Sequence, residues 1–156
     1  MIEHWKTYAL SEICKIKYGR DHKSLRDGEI PAYGSGGIMR YVETSLYDKK
    51  SVLIPRKGTL SNLFFVDRPF WTVDTLFYTV IDEARVIPEY LYYFLKTLNL
   101  AEMNVGTAVP SLTVTLLNSI EIRLPSLEEQ ASIVGVLSVL DARIAENKKI
   151  NHHLAA

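Results

Sequence analysis

The chain has one cysteine, Cys14, and four histidines among 156 residues. A single thiol excludes an internal disulfide, and a structural zinc site lacks the four clustered cysteine or histidine ligands it needs. Cys14 continues the apolar pattern Leu10/Ile13/Cys14 and reads as core filling. Long apolar runs are missing as well. No window approaches the roughly 20 uninterrupted apolar residues of a membrane span, and Met1-Ile2-Glu3-His4 has neither the basic end nor the apolar stretch of a secretory signal. A soluble, cytoplasmic protein without a membrane partner is expected. Nucleotide signatures are absent too. No Gly-Lys-Ser/Thr stands at the spacing of a phosphate-binding loop, and no Asn/Asp-Pro-Pro-aromatic tetrapeptide is present to hold a flipped base. The chain is therefore expected to bind no cofactor and to methylate nothing alone.

Net charge is also nil, with 18 Lys/Arg against 18 Asp/Glu, but the two halves differ. Residues 1–68 hold twelve cations against eight carboxylates, and residues 69–156 hold six against ten. The first half can present a basic face to a polyanion, or the two halves are ordinarily solvated surfaces.

What is present suffices for one folded domain: 47% of residues are apolar and 10% aromatic. Ser11–Ile16 reads as a short helix or turn before the basic segment Lys15, Lys17, Arg20, Lys23, Arg26. Strand character follows at 37–42, 51–54, 63–66 and 76–81, in runs rich in Val, Ile, Phe and Tyr and bounded by Gly, Pro, Asp and Asn. Their links are too short for helical crossovers, so the expectation is a curved, mostly antiparallel sheet in an α+β globule. Pro88 opens a helix at its favoured first position, with Leu91, Phe94, Leu95 and Leu98 on one face. A polar loop is expected at 106–112, a helical turn at 113–118 and a last strand at 119–124.

Three polar constellations call for chemistry. Gly34-Ser35-Gly36-Gly37 could cradle a phosphate, but strand-like sequence follows it rather than a helix N-terminus, which favours a structural turn. Asp48-Lys49-Lys50, with Asp27 or Glu29 upstream, fits by its letters a metal-dependent nuclease using Asp48 and Lys50. Arg56-Lys57-Gly58-Thr59-Leu60-Ser61-Asn62 puts two cations, two hydroxyls and an amide around a glycine turn, which is the inventory for touching phosphates and reaching base edges. Its alternative is a surface hairpin with no partner.

The C-terminal segment is the clearest of all. Ser126 and Glu129 form a capping box after Pro125, and they open a helix of about 28 residues, roughly 42 Å long at ~1.5 Å per residue. Ile133, Leu137, Leu140, Ile144, Asn147, Asn151 and Leu154 step by 4, 3, 4, 3, 4, 3, a heptad seam that calls for a partner helix. The expected division is a globule at 1–125 and a spacer or dimerisation helix at 126–156. A coiled-coil interaction adaptor is an alternative function.

Five segments, in this order, give the chain a resemblance to the DNA-specificity (S) subunits of type I restriction-modification systems. They are Pro31-Ala32-Tyr33-Gly34-Ser35-Gly36-Gly37, Ile54-Pro55-Arg56-Lys57-Gly58-Thr59, Pro69-Phe70-Trp71-Thr72-Val73-Asp74-Thr75, Gly106-Thr107-Ala108-Val109-Pro110-Ser111-Leu112, and Leu124-Pro125-Ser126-Leu127-Glu128-Glu129-Gln130. The resemblance implies a non-catalytic module that recognises double-stranded DNA, with no metal site of its own. Arg20, Lys23, Arg56 and Lys57 would contact phosphates, and Thr59, Ser61, Asn62 and Thr107 would reach base edges. It further implies partner modification (methyltransferase) subunits carrying S-adenosylmethionine, a restriction subunit, and a spacer helix packed on a second one. Full S subunits carry two recognition domains and two spacer helices, whereas this sequence has one of each, so a homodimer through the helix and a bipartite DNA site are expected. Ser61 stands where relatives often have a second glycine.

Overall fold

The computed structural model of the chain describes residues 4–106 and 108–156. Strand β1 (Lys6–Ala9) runs into a one-turn helix α1 (Leu10–Ile13) and then β2 (Cys14–Tyr18). The helix stops at Ile13, short of the expected Ile16, because the side-chain pattern switches to a period of two: Cys14 and Ile16 are buried while Lys15 and Lys17 are exposed. Next come β3 (Asp27–Gly34), β4 (Gly37–Val42), β5 (Ser51–Pro55), β6 (Phe64–Val66), β7 (Trp71–Thr72) and β8 (Leu76–Ile81). The chain closes with α2 (Pro88–Thr97), α3 (Val114–Asn118), β9 (Glu121–Leu124) and the 29-residue α4 (Leu127–Ala155).

The strands divide among three small sheets rather than one curved sheet: β1-β9, β2-β8-β5-β6 and β4-β3-β7. All pairings are antiparallel except β3 with β7. β5 is the central strand and is buried throughout. Its Val52 and Ile54 enter the main core with Phe77, Leu91 and Leu117, while Leu53, on the opposite face, joins Tyr33, Phe70 and Leu76. Apolar surface on both faces is what a near-continuous Val-Leu-Ile run encodes. Where the β5–β8 ladder ends, hydroxyls take over from the backbone. Ser51 Oγ donates to Thr79 O (2.7 Å) and accepts from Thr79 N (2.9 Å), and Thr79 Oγ1 accepts from Val52 N (2.9 Å).

Helix α2 begins at Pro88 and buries Leu91 and Leu95. Helix α4 is fixed to the globule by its first turn. Ser126 Oγ accepts from Glu129 N (3.2 Å), and the Glu129 carboxylate accepts from Ser126 N (3.1 Å), completing the capping box. Gln130 is fully buried, and its amide is satisfied by three backbone groups: Oε1 accepts from Ile87 N (2.9 Å), while Nε2 donates to Arg85 O and Pro125 O (both 3.0 Å). Ile133 and Val134 then pack on the core. From residue 138 to the end every residue is exposed, so the outer half of the helix projects from the globule. No helix among the described residues is long and apolar enough to cross a membrane.

Candidate nucleic-acid interface

Four segments converge at one end of the globule: the end of β2 with the loop after it, the tip of the β3–β4 hairpin, the turn after β5, and the loop at 104–112. Hydrogen bonds tie them together. Arg20 N donates to Thr72 O (2.8 Å) and Trp71 Nε1 donates to Arg20 O (2.9 Å), which pins the first loop to β7. Asn62 Nδ2 donates to Ser35 O (3.0 Å), joining the turn after β5 to the hairpin tip. Leu112 N donates to Arg56 O (2.9 Å), and Lys57 forms an antiparallel bridge with Ser111, which brings in the last loop. Gly58 has φ +88°, a conformation that favours glycine, so the turn takes its shape there. Leu60, at 3% exposure, anchors it in the core.

The glycines at 34–37 are a structural turn: Gly34, the last residue of β3, pairs with Gly37, the first of β4, and Gly37 has φ +117°. Arg20, Lys23, Lys57, Thr59 and Ser61 are exposed, while Arg56 and Asn62 are half-buried. The Arg56 guanidinium lies 5.4 Å from the centroid of the Tyr18 ring, and its Nη1 donates to Asp74 O (3.1 Å). None of Arg20, Lys23, Arg56 and Lys57 is in an ion pair among the described residues. One donor of the Asn62 amide is committed to Ser35 O. Thr107 lies outside the described residues.

Sequence reasoning missed several members of this surface. Tyr18 is 55% exposed, and Ile38, Met39, Tyr41, Val105 and Val109 also stand in solvent. Arg40 is a clamp: Nη2 donates to Leu25 O (3.0 Å) and to Asp27 Oδ1 (2.6 Å), and Nη1 to His22 O (3.4 Å), holding the loop that carries Arg20 and Lys23 against β4. Asn104 organises the last loop, its Oδ1 accepting from Gly106 N and Ser111 N (both 2.8 Å). Asn-x-Gly is a readable turn signal, and the alternation Cys14-Lys15-Ile16-Lys17-Tyr18 would have placed Tyr18 at a strand end.

The nuclease letters do not assemble. Lys50 Nζ is 2.6 Å from Glu89 Oε1 on α2, and Asp27 is held by Arg40, so neither joins Asp48 in a common cluster. Among the described residues no group of three or more His, Cys, Asp or Glu is placed to hold a metal ion. Cys14 is buried, and burial pushes its thiol up to about 12.

The heptad seam is divided by its surroundings. Ile133 and Leu137 are half-buried and, with Trp5, Tyr90, Tyr93 and Phe94, line an apolar groove between α2 and α4. Tyr93 Oη donates to Asp141 Oδ2 (2.8 Å) at the outer end of that contact. Leu140, Ile144, Asn147, Asn151 and Leu154 are exposed. Val136 and Ile150 are exposed as well, at 63% and 48%, and widen the free apolar stripe to one side of the seam.

An α+β globule with three small sheets and a projecting C-terminal helix is the fold of solved specificity subunits. The S subunit of a type I restriction-modification system from M. genitalium superposes with a TM-score of 0.79 at 18% identity, over 92% of this chain and 40% of that one. The HsdS subunit from Thermoanaerobacter tengcongensis gives 0.73 at 21% identity, over 93% and 39%. The profile of the family described as "Type I restriction modification DNA specificity domain" matches residues 2–156, and the chain belongs to that family. Among curated relatives, the type I restriction enzyme MjaIX specificity subunit of Methanocaldococcus jannaschii is 32% identical over 113 residues, covering 70% of this chain and 26% of the relative. The type I restriction enzyme EcoprrI specificity subunit of Escherichia coli is 26% identical over 145 residues, covering 87% and 36%. The chain thus spans about a quarter to a third of the length of these relatives.

Proposed function

We propose that this chain is a sequence-specific DNA-recognition module of a type I restriction-modification complex, supplying one recognition globule and one spacer helix and no catalytic group. The observation that carries the reading is the convergence of Arg20, Arg56 and Lys57 on one loop-built end, each without a carboxylate partner among the described residues. Unpaired cations gathered at one end match the phosphates and acceptor-bearing base edges of DNA, and Lys23 extends the set. Thr59, Ser61 and Asn62 are the neighbouring groups for base edges, and Thr107 is assigned the same role on the family resemblance alone. Methylation and cleavage belong to partner modification and restriction subunits, with S-adenosylmethionine bound by the methyltransferase and the whole complex acting in the cytoplasm. The free stripe of α4, including Leu140, Ile144 and Leu154, pairs with a second copy, and Asn147 and Asn151 restrict its register.

The experiment is base-modification sequencing of cells carrying the chain with the modification subunits of its own system. A bipartite methylated motif that disappears when this chain is deleted is the expected result. Methylation that persists unchanged without the chain would sink the reading.

A further inference from the structure

We propose that Arg56 reads a guanine edge rather than a phosphate, and that Tyr18 is the positioning residue that holds it for the task; this rests on the DNA-recognition reading above. A phosphate contact asks only for a positive charge nearby, and a mobile lysine serves it. A base contact asks for more. The two donors of a guanidinium edge must meet guanine O6 and N7 together, so the plane of the group has to be set before the DNA arrives.

The surroundings of Arg56 set that plane. Its backbone is fixed on both sides, Arg56 N donating to Thr75 O (2.8 Å) and Arg56 O accepting from Leu112 N (2.9 Å), and it follows directly on the fully buried β5. The guanidinium carbon sits over the face of the Tyr18 ring, 5.4 Å from its centroid, which confines where the group can lie. The Tyr18 ring is itself held edge-on to Phe77, with centroids 5.2 Å apart and an interplanar angle of 69°, and Phe77 is fully buried. One nitrogen, Nη1, is used on Asp74 O (3.1 Å), while the Nε and Nη2 edge has no partner among the described residues.

Two other arginines show what spent side chains look like. Arg40 gives its donors to His22 O, Leu25 O and Asp27, and Arg85 pairs with Asp82 at 3.4 Å. Arg56 keeps an oriented, uncompensated donor edge at the surface where four segments meet. Lys57 next to it is exposed, a compact charge suited to the adjoining phosphate.

The test uses the assembled complex in cells, with base-modification sequencing as readout, for the unmodified chain and for Arg56→Ala, Arg56→Lys, Tyr18→Ala, Tyr18→Phe and Lys57→Ala. Arg56→Ala and Arg56→Lys should both relax one guanine position of the motif, with discrimination there falling roughly ten- to a hundred-fold, and leave the other positions sharp. Tyr18→Phe, which keeps the aromatic face, should retain the full motif. Tyr18→Ala should relax the same position as Arg56→Ala. Lys57→Ala should lower methylation without changing the motif, as loss of a phosphate contact does.

An intact motif in Arg56→Lys, with uniformly weaker methylation in Arg56→Ala, overturns the proposal and makes Arg56 a phosphate contact. A sharp motif in Tyr18→Ala overturns the positioning role alone. Should Tyr18→Ala lower the unfolding midpoint of the purified chain, Tyr18→Leu, which fills the space without a π face, decides that part by the same readout. Absence of any motif from the unmodified chain is a separate result: it defeats the DNA-recognition reading itself.

Discussion

Several single side chains here are understood by the bonds they replace or the neighbours they keep dry. Ser51 and Thr79 continue the β5–β8 ladder with hydroxyls, and Gln130 binds three backbone groups of the segments leading into α2 and α4, one N–H and two carbonyls. The phenol of Tyr93 is pushed up to about 12 from 10.0, first by burial and then by its hydrogen bond to the Asp141 carboxylate. Ionisation is thus easier in the unfolded chain than in the folded one, so this contact contributes fully below about pH 10 and its contribution is lost as pH rises from 10 to 12. Subtracting the ultraviolet titration of Tyr93→Phe from that of the unmodified chain should leave one phenol ionising near 12, and Asp141→Asn should draw it back toward 10. A difference curve centred at 10 would mean that neither burial nor the Asp141 bond acts on Tyr93. Residue identity foretold parts of this. Cys14 was legible as core and the Ser126/Glu129 box as a helix start, whereas the closing role of Gln130 depends on Arg85 and Ile87, more than forty positions away, and no local pattern encodes it.

Elements were legible in proportion to how much of their stability is local. The capping box, Pro88 and the five expected strands all appear within a residue or two of where the sequence puts them, because caps, ring constraints and β-branched runs act within a few residues. β2 and β3 were not foreseen. The first is stabilised by pairing with β8, which takes over the chain directly where the Leu-Ser-Glu-Ile helix ends at Ile13, and the second contains Pro31 and ends at Gly34, residues that ordinarily argue against a strand. Helix α4 was foreseen in length and start, but periodicity alone could not say which of its apolar residues the globule would claim. The surroundings make the division testable. Leu140→Asp with Ile144→Asp alters only exposed positions and should turn the proposed dimer into a folded monomer in sedimentation, with little change in thermal midpoint. Ile133→Asp places a charge against α2 and should instead destabilise the globule by about 1.5–3 kcal/mol or more, the worth of a buried aliphatic side chain. Dimers that survive the double change would assign the stripe to another subunit.

For the whole molecule, charge and length act together. On the proposed reading, a neutral chain with a cationic end should bind DNA weakly alone and with steep salt dependence, near −0.9 in log–log slope for each phosphate neutralised, and titrations over a salt series should show a shallower slope in Lys57→Ala. If two copies meet through α4, the helices set the distance between the two recognition ends. Four residues inserted after Ile144 lengthen each arm by ~6 Å and nearly restore the facing of the stripe, since four residues only slightly exceed one turn. At ~3.4 Å per base pair, about two base pairs should be added to the unread spacer of the methylated motif, with both half-sites unchanged. Altered half-site bases over an unaltered spacer, seen by base-modification sequencing, would place specificity in the helix instead. The interface itself was half legible: Arg56–Asn62 announced a polar turn, but the convergence of four segments and the stacking of Arg56 on Tyr18 arise from strand pairings spread along the chain.

Helix α4 is a lever only beyond the contacts that hold its inner half: the Gln130 amide, Ile133 and Val134 on the core, and the Tyr93–Asp141 hydrogen bond. The last fifteen or so residues, from Asp141 to Ala155, are about 22 Å long, so a swing of roughly 10° at residue 141 carries the far tip through about 4 Å, a little over one base-pair step. Angular stiffness where the helix leaves the globule therefore governs the reach of this arm. The buried amide at its start and the α2 contact up to Asp141 act in series, and together they supply that stiffness.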